Sequence, residues 1–316
     1  MYLNNIKKLS GDASFRKFYR SKSSVIVFCK KEKKANLLIY DAINKILLKN
    51  NILSPKLLSE NYKKNYIEID DFGDLTVFKK LKKKNINKFY YYKKILNLLK
   101  KIQRIKNRKI KTFLKSDYKI SDYSNRKIIN EANLFLKWYL PQHIKGKKKN
   151  IVKKKISKIF KKLISQLLCK KKVFIHRDFH ISNIMITKKG LGLIDNQDAI
   201  FGNISYDLAS LIDDVRFKTS IKTKNLIFNE FLKINTSIDK KKFKNDFDIL
   251  SIMRNLKIIG IFTRLSIRDK KNKYLKLIPY AWKLIETRLS TNNKFSNLKA
   301  ILDENFDKKM RNIYEN

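Results

Sequence analysis

Val173-Phe-Ile-His-Arg-Asp-Phe-His-Ile-Ser-Asn-Ile-Met-Ile-Thr187, continued by Lys188-Lys-Gly-Leu-Gly-Leu-Ile-Asp-Asn-Gln-Asp198, is the stretch on which the reading of this chain turns. Its first two apolar runs, Val173 to Ile175 and Ile184 to Ile186, are too short for helices and β-branched enough for buried strands. A polar loop separates them. The third run, Leu191 to Ile194, follows the turn Lys188-Lys-Gly190, so the second and third runs are expected to form a hairpin ending in Asp195. That order puts Asp178 and Asn183 on the loop and Asp195 at the hairpin's end. Phosphoryl transfer uses these three residue types: a carboxylate to orient the attacking hydroxyl and accept its proton, and an amide oxygen and a second carboxylate to hold magnesium against the phosphates. An isolated Asp or Asn in a loop is usually only a turn former. Turn chemistry alone does not call for two strands, a hairpin and three such groups in this order. His176 and His180, four residues apart, would share a helix face as a zinc pair does. The strand-to-loop context and the lack of a Glu beside the first His argue against zinc, and either imidazole is expected to pack under the loop.

The segment resembles the catalytic loop of the aminoglycoside phosphotransferase-like, or choline-kinase-like, branch of the protein-kinase fold. Gly11-Asp-Ala-Ser-Phe-Arg-Lys-Phe-Tyr-Arg20, the stretch from Ile194 to Leu211 and the stretch from Leu256 to Asp269 are similar to the bacterial N-acetylmuramate/N-acetylglucosamine anomeric kinases. Those enzymes use ATP to phosphorylate an amino sugar at its anomeric hydroxyl during cell-wall sugar recycling. The similarity runs from about Leu9 to about Trp282 and is weakest in the middle. It implies an α+β, two-lobed fold, with a small N-terminal β-sheet lobe (1–77) for the nucleotide and a larger, mainly helical C-terminal lobe (78–316) for catalysis and substrate. It further implies ATP and magnesium (Mg2+) as cofactors, Asp178 as base, and Asn183 and Asp195 as metal ligands. Ser10, Gly11 and Ser14 would cover the phosphates. Asp71 and Phe72 would sit in the hinge Asp70-Asp-Phe-Gly-Asp74, where backbone groups meet adenine. Asp198 falls in the magnesium or sugar region, and Asp214 and Arg264 match positions in the similar blocks on the acceptor side. His176 and Asp207 are expected to be structural supports, Asp207 by opening a helix beneath the catalytic loop and accepting its N–H groups.

The chain also departs from better-known kinases. Its Gly-rich loop is reduced to Gly11 in Ser10-Gly-Asp-Ala-Ser14, and no Val-Ala-Ile-Lys pattern is present. The third strand ends Phe28-Cys29-Lys30-Lys31, the helix after it lacks an evident Glu, and Lys30 with Glu32 reads as a chance pair among many lysines. The phosphate-anchoring residue is therefore unassigned. No segment ending in Ala-Pro-Glu follows Asp195, which speaks against a protein kinase. The loop does not disclose the acceptor, and an aminoglycoside, choline or homoserine would be served by the same chemistry.

Composition bounds these readings. A chain of 316 residues can bury one large core or two lobes, and 43% hydrophobic residues exclude wholesale disorder. No apolar run of about 18 residues is long enough to cross a bilayer. The start Met1-Tyr-Leu-Asn-Asn-Ile-Lys-Lys lacks an apolar stretch of signal-peptide length, so a cytoplasmic location is expected. Cys29 and Cys169 lack metal-type spacing and fit a reducing compartment. The net charge of +48, from 75 basic and 27 acidic residues, would ordinarily point to a nucleic-acid partner. Here the same chain is crowded with Lys, Asn, Ile, Phe and Tyr, with Gly at 7 and Pro at 3, as expected from drift toward adenine and thymine in the coding sequence. Lysines are scattered over every segment, which favours solvated-surface charge over a polyanion site. A basic, non-enzymatic nucleic-acid binder is the remaining rival, and its affinity would fall steeply with salt. Oligomeric state is not legible.

Local patterns fill in the lobes. Phe15 to Tyr19 and Val25 to Cys29 read as an opening hairpin, the expected roof over ATP, and Tyr66 to Ile69 as a strand. Apolar residues at 38, 39, 42, 43, 46 and 47 predict a helix over about Asn36 to Lys49. Phe89, Tyr92, Ile95, Leu99 and Ile102 trace a second helix. Val152, Ile156, Ile159, Phe160, Leu163, Ile164 and Leu167 trace a third with a Lys-rich opposite side, read as a core stripe in preference to a membrane-surface one. Further helices are expected from about Asp207, Asn225, Lys242 and Tyr274.

Overall fold

In a computed structural model, residues 7–9 and 16–314 are described, and the expected phosphate-covering residues Ser10, Gly11 and Ser14 lie outside them. The chain divides into two compact units, 1–122 with 173–201, and 123–172 with 202–316. Together they give the expected α+β composition, a small antiparallel sheet and a mostly helical remainder.

In the first unit, strands β1 (Lys7–Leu9), β2 (Lys17–Arg20), β3 (Ser24–Phe28), β4 (Leu57–Asn61) and β5 (Tyr66–Asp70) form one antiparallel sheet in the order β1-β2-β3-β5-β4. Alternation decides which face is buried: Val25 and Val27 of β3 and Ile67 and Ile69 of β5 point inward. They pack with Cys29 and with Leu37 and Tyr40 of helix α1 (Ala35–Lys49). Helices α2 (Val77–Leu81) and α3 (Lys88–Gln103) follow, opened by Thr76 and Asn87, whose side chains accept the N–H groups of Lys79 and Tyr90. A short hairpin, β6 (Lys109–Lys111) and β7 (Asp117–Lys119), completes this part.

The segment 173–201 returns to the same unit. Strand β8 (Lys172–Ile175) leads into the polar loop, and β9 (Ile184–Thr187) pairs with β10 (Gly190–Leu193) as the expected hairpin. Segment 173–201 is thus grouped with residues 1–122. The physical reason is hydrogen bonding: the Ile186 N–H donates to the Leu75 carbonyl at 2.8 Å and the Leu193 N–H to the Leu53 carbonyl at 2.8 Å. These bonds tie the hairpin to the chain that precedes and follows the β4–β5 pair.

The second unit is helical, with α4 (Asn125–Leu134), a π turn (Phe135–Tyr139), α5 (Leu140–His143), α6 (Gly146–Ser165), α7 (Tyr206–Ile212), α8 (Ile221–Ile234), α9 (Lys240–Asp269), α10 (Ile278–Leu289), α11 (Ser296–Asn305) and α12 (Lys308–Asn312). The Val152, Ile156, Phe160, Leu163 and Ile164 stripe of α6 is buried, so it serves the core. Helix α9 runs through this unit's interior, and at Gly260 its backbone comes so close to Leu134 and Phe135 that a Cβ would lie 2.3 Å from the Leu134 carbonyl carbon. Only glycine fits there.

Buried charge also organises this unit. Asp213, 1% exposed, receives Lys224 at 2.9 Å, Arg288 at 2.8 Å and the Ser251 hydroxyl at 2.6 Å. Burial alone would raise its carboxyl, but Lys224 and Arg288 outweigh burial and hold it well below the usual carboxylate range. A depressed carboxylate adds stability above its unfolded value and loses it only as pH falls through the depressed one, so this contribution is complete at neutrality. Asp213→Asn is expected to destabilise this fold by about 3–5 kcal/mol at pH 7, because two buried cations lose their partner. Urea unfolding at pH 7 checks the size, and repeating it in increasingly acid buffer should narrow the gap between variant and parent only below about pH 4.

Candidate functional site

The loop between β8 and β9 carries Asp178 and Asn183, and Asp195 follows β10. The segment therefore gathers the three expected groups, together with Asp198. Asn183 is fixed by its own amide: Nδ2 donates to the Asp178 carbonyl at 3.0 Å, which leaves Oδ1, the atom a hard cation takes, clear of that bond. Asp195 adopts the left-handed backbone conformation at φ 62°, uncommon outside glycine. Its side chain keeps 39% of its surface open yet sits deep among protein atoms. That desolvation raises its carboxyl above the usual range; Arg16 opposes the rise, and the nearby Asp178 carboxylate adds to it. Carboxylate and amide oxygens of this kind are the donors that could hold a hard cation such as magnesium. No cluster of three or more His, Cys, Asp or Glu side chains with metal-binding geometry occurs among the described residues.

A buried amide holds this arrangement. Asn196 is fully buried, and its Nδ2 lies 2.9 Å from Asn44 Oδ1, 3.1 Å from Ser54 Oγ and 3.1 Å from the Leu193 carbonyl. Its Oδ1 accepts from His176 Nε2 at 2.8 Å, and the same nitrogen lies 3.2 Å from the Ile194 carbonyl. Facing two oxygens, His176 must carry its proton on Nε2. The imidazole therefore packs beneath the loop as a bridge. His180 is also buried, 3.4 Å from the Asn183 amide.

Other expected site residues have other surroundings. Asp71 is engaged by Arg20 at 2.5 Å and also accepts the Gly73 N–H at 2.8 Å. Phe72 lies where a Cβ on Gly192 would sit, 2.6 Å from its ring, so the hinge and β10 are in contact through that glycine. Asp198 is exposed and accepts from Gln197 at 3.0 Å, with Arg177 3.9 Å away. Asp207, Asp214 and Arg264 belong to the helical unit. Asp207 is fully buried in the first turn of α7. Asp214 is buried with Oδ1 on the Arg216 N–H at 3.0 Å, while burial lowers the Arg264 guanidinium below its ordinary value.

The sequence reading missed Arg16. Its side chain is 5% exposed and donates to Asp195 Oδ1 at 2.9 Å and to Asn36 Oδ1 at 2.6 Å. The signal was present in the quoted block Gly11 to Arg20, but among 75 basic residues one arginine carries no mark of its own. Asn44, Ser54 and Asn196 were missed as well, because their partnership spans more than 140 positions.

Comparison with known proteins shows what the whole chain is similar to. The profile of the phosphotransferase enzyme family matches residues 5–225. An N-acetylmuramate/N-acetylglucosamine kinase of Neisseria meningitidis serogroup B is 26% identical over 85% of this chain and 81% of its own length. The enzyme of the same name from Pseudomonas aeruginosa is 24% identical over 93% and 86%. Among solved structures, a choline/ethanolamine kinase family protein from Mesorhizobium loti superposes with TM-score 0.63 at 12% identity, covering 95% of this chain and 92% of that one. The ADP-bound aminoglycoside phosphotransferase APH(2'')-Ib gives 0.62 at 14% identity, covering 93% and 95%.

Replacing the buried amide tests its place in the site. Asn196→Leu should cost roughly 2–4 kcal/mol of unfolding free energy, since His176, Asn44 and Ser54 each lose a partner away from water. Chemical denaturation measures the loss.

Proposed function

Because the chain belongs to the phosphotransferase enzyme family, we propose that it transfers the γ-phosphate of ATP to the anomeric hydroxyl of an amino sugar of the N-acetylmuramate/N-acetylglucosamine type. The nearness of Asp178 to Asp195, with Asn183 on the same loop, is the observation that carries the reading. The names of the curated relatives supply the sugar.

In this reading Asp178 accepts a hydrogen bond from the acceptor hydroxyl and turns its oxygen toward the phosphorus. It takes the proton late, as the new oxygen–phosphorus bond forms and the bond to the departing ADP breaks. An anomeric hydroxyl is more acidic than an ordinary alcohol, so a carboxylate of normal strength suffices as base. Asn183 Oδ1 and the Asp195 carboxylate would hold magnesium, which when bound neutralises phosphate charge. Asp198 borders that region. The stretch up to about Val77 would bind the nucleotide, with backbone groups beside Asp71 and Phe72 meeting adenine. Asp71 itself supports the hinge through Arg20. Asp214 and Arg264 remain the proposed acceptor-side residues, with Asp207 as an internal support. No helix among the described residues is long and apolar enough to cross a membrane.

Incubation with Mg-ATP and a panel of amino sugars, followed by phosphorus NMR, locates any new phosphate. A sugar 1-phosphate supports the proposal, and product only from an amino alcohol or an aminoglycoside reassigns the acceptor. Asp178→Asn should lower turnover at least about 100-fold with ATP affinity nearly unchanged, and near-normal turnover would remove Asp178 from the role of base. Asp195→Ala should instead weaken the Mg-ATP complex, as read by calorimetry.

A further inference from the structure

Phosphoryl-transfer sites of this fold usually grip the nucleotide's phosphates with a lysine on the third strand of the small sheet, steadied by a carboxylate on the next helix. This chain has neither in place. Strand β3 is the uncharged run Ser24 to Phe28, and Cys29 after it is fully buried, its thiol pushed up to about 11 by burial. On the following helix, the first carboxylate is Asp41, which is buried and paired with Lys45 at 2.7 Å. Lys30 and Glu32 lie on an exposed turn.

A cation reaches the site from the neighbouring strand instead. Lys17 of β2 pairs with Phe28 of β3, so Arg16, one residue earlier, lies across from Cys29, where β3 offers no charge. Its guanidinium lies 5.9 Å from the centre of the Tyr40 ring on α1 and takes the Asn36 amide oxygen of the same helix at 2.6 Å. At 2.9 Å from Asp195 Oδ1, it already touches the carboxylate around which the phosphates would gather. We propose that Arg16 is the phosphate-anchoring cation of this chain, with Asn36 in the steadying place that a helix carboxylate fills elsewhere. This rests on the nucleotide reading above.

Two physical points favour that division of labour. A buried lysine readily sheds its proton, whereas a guanidinium stays charged, so arginine suits a position with 5% of its side chain exposed. A carboxylate at position 36 would neutralise the cation that an amide oxygen merely orients, so Asn36 leaves the charge for the phosphates. The planar fork also offers paired donors to phosphate oxygens, which an ammonium cannot.

Calorimetry with ATP and with adenosine, each in the presence of magnesium, separates grip on phosphate from grip on the base. Arg16→Met should weaken ATP at least tenfold and leave adenosine within twofold, with Arg16→Lys between the two. Asn36→Asp keeps Arg16 in place and should still weaken ATP severalfold, which tests the idea even if Arg16→Met fails to fold. Equal loss of ATP and adenosine affinity, or ATP affinity unchanged in both Arg16→Met and Asn36→Asp, would overturn the assignment while leaving the phosphotransferase reading intact. If the parent chain binds no ATP at all, the nucleotide reading falls and the arginine's role with it.

Discussion

The candidate site depends on one buried amide. Asn196 follows the residue expected to face the metal, and its four polar contacts lead to β8 through His176, to the end of β10 through Leu193, to α1 through Asn44 and to the loop before β4 through Ser54. A side-chain amide carries two N–H donors and a carbonyl acceptor on one short stem, so Asn196 can face acceptors on one side and the His176 donor on the other. With Asn196 satisfied, Asp195 is held in a left-handed backbone conformation that costs energy and persists only where the surroundings overdetermine it. Arg177, on the loop that carries Asp178, has the same kind of backbone at φ 73°. The loop and the end of the hairpin thus share one engineering problem, and a common buried polar cluster answers it.

The parts of this arrangement that were legible in the sequence are those with local causes. The β9–β10 hairpin was readable because two short β-branched runs flank a Lys-Lys-Gly turn. Helices α1, α3 and α6 were readable from apolar spacing; α3 and α6 bury most of the face that spacing selects, while α1 turns Leu37 and Tyr40 inward and leaves residues 38 and 39 only half-buried. Strand β4 was missed because Leu57 to Asn61 is mostly exposed and polar at the sheet's edge, where alternation has little to bury. The return of residues 173–201 to the sheet's unit was not legible for a different reason. Assigning residues 173–201 to the sheet's unit follows from backbone bonds to Leu53 and Leu75, which no local pattern announces.

The same distinction explains why Arg16 escaped notice while Asp178 and Asp195 did not. In a chain with 75 basic residues a single cation is almost uninformative, because most of them stand out no more than their neighbours. Its 27 acidic residues are scarce by comparison, and two of the buried ones have an evident job. Asp213 neutralises Lys224 and Arg288, and Asp246 accepts the N–H groups of Leu168 and Cys169 at 2.8 Å and the Asn203 amide at 2.6 Å. Two of the glycines are fixed by contact: at Gly192 and Gly260 a Cβ would strike a ring or another helix's backbone.

A carboxylate buried between cations, as at Asp213, or a glycine pressed against another backbone, as at Gly260, occupies a place where packing and charge leave little room for a substitute. Cations become informative only when the fold buries them. Among the described residues the buried cations are Arg16, Lys224, Arg254, Arg288 and Arg311, the last stacked 4.8 Å from the Trp282 ring and paired with Glu286 and Asp303. Lys224 and Arg288 face Asp213 inside a helical core, where neutralisation is a sufficient reason for burial, whereas Arg311 faces two carboxylates that stay 45% and 42% open. Arg16 also faces a carboxylate that keeps 39% of its side-chain surface open, and this one has the Asp178 carboxylate near it. Such a partner can take up a further ligand, and an arginine beside it is placed to meet that ligand's charge.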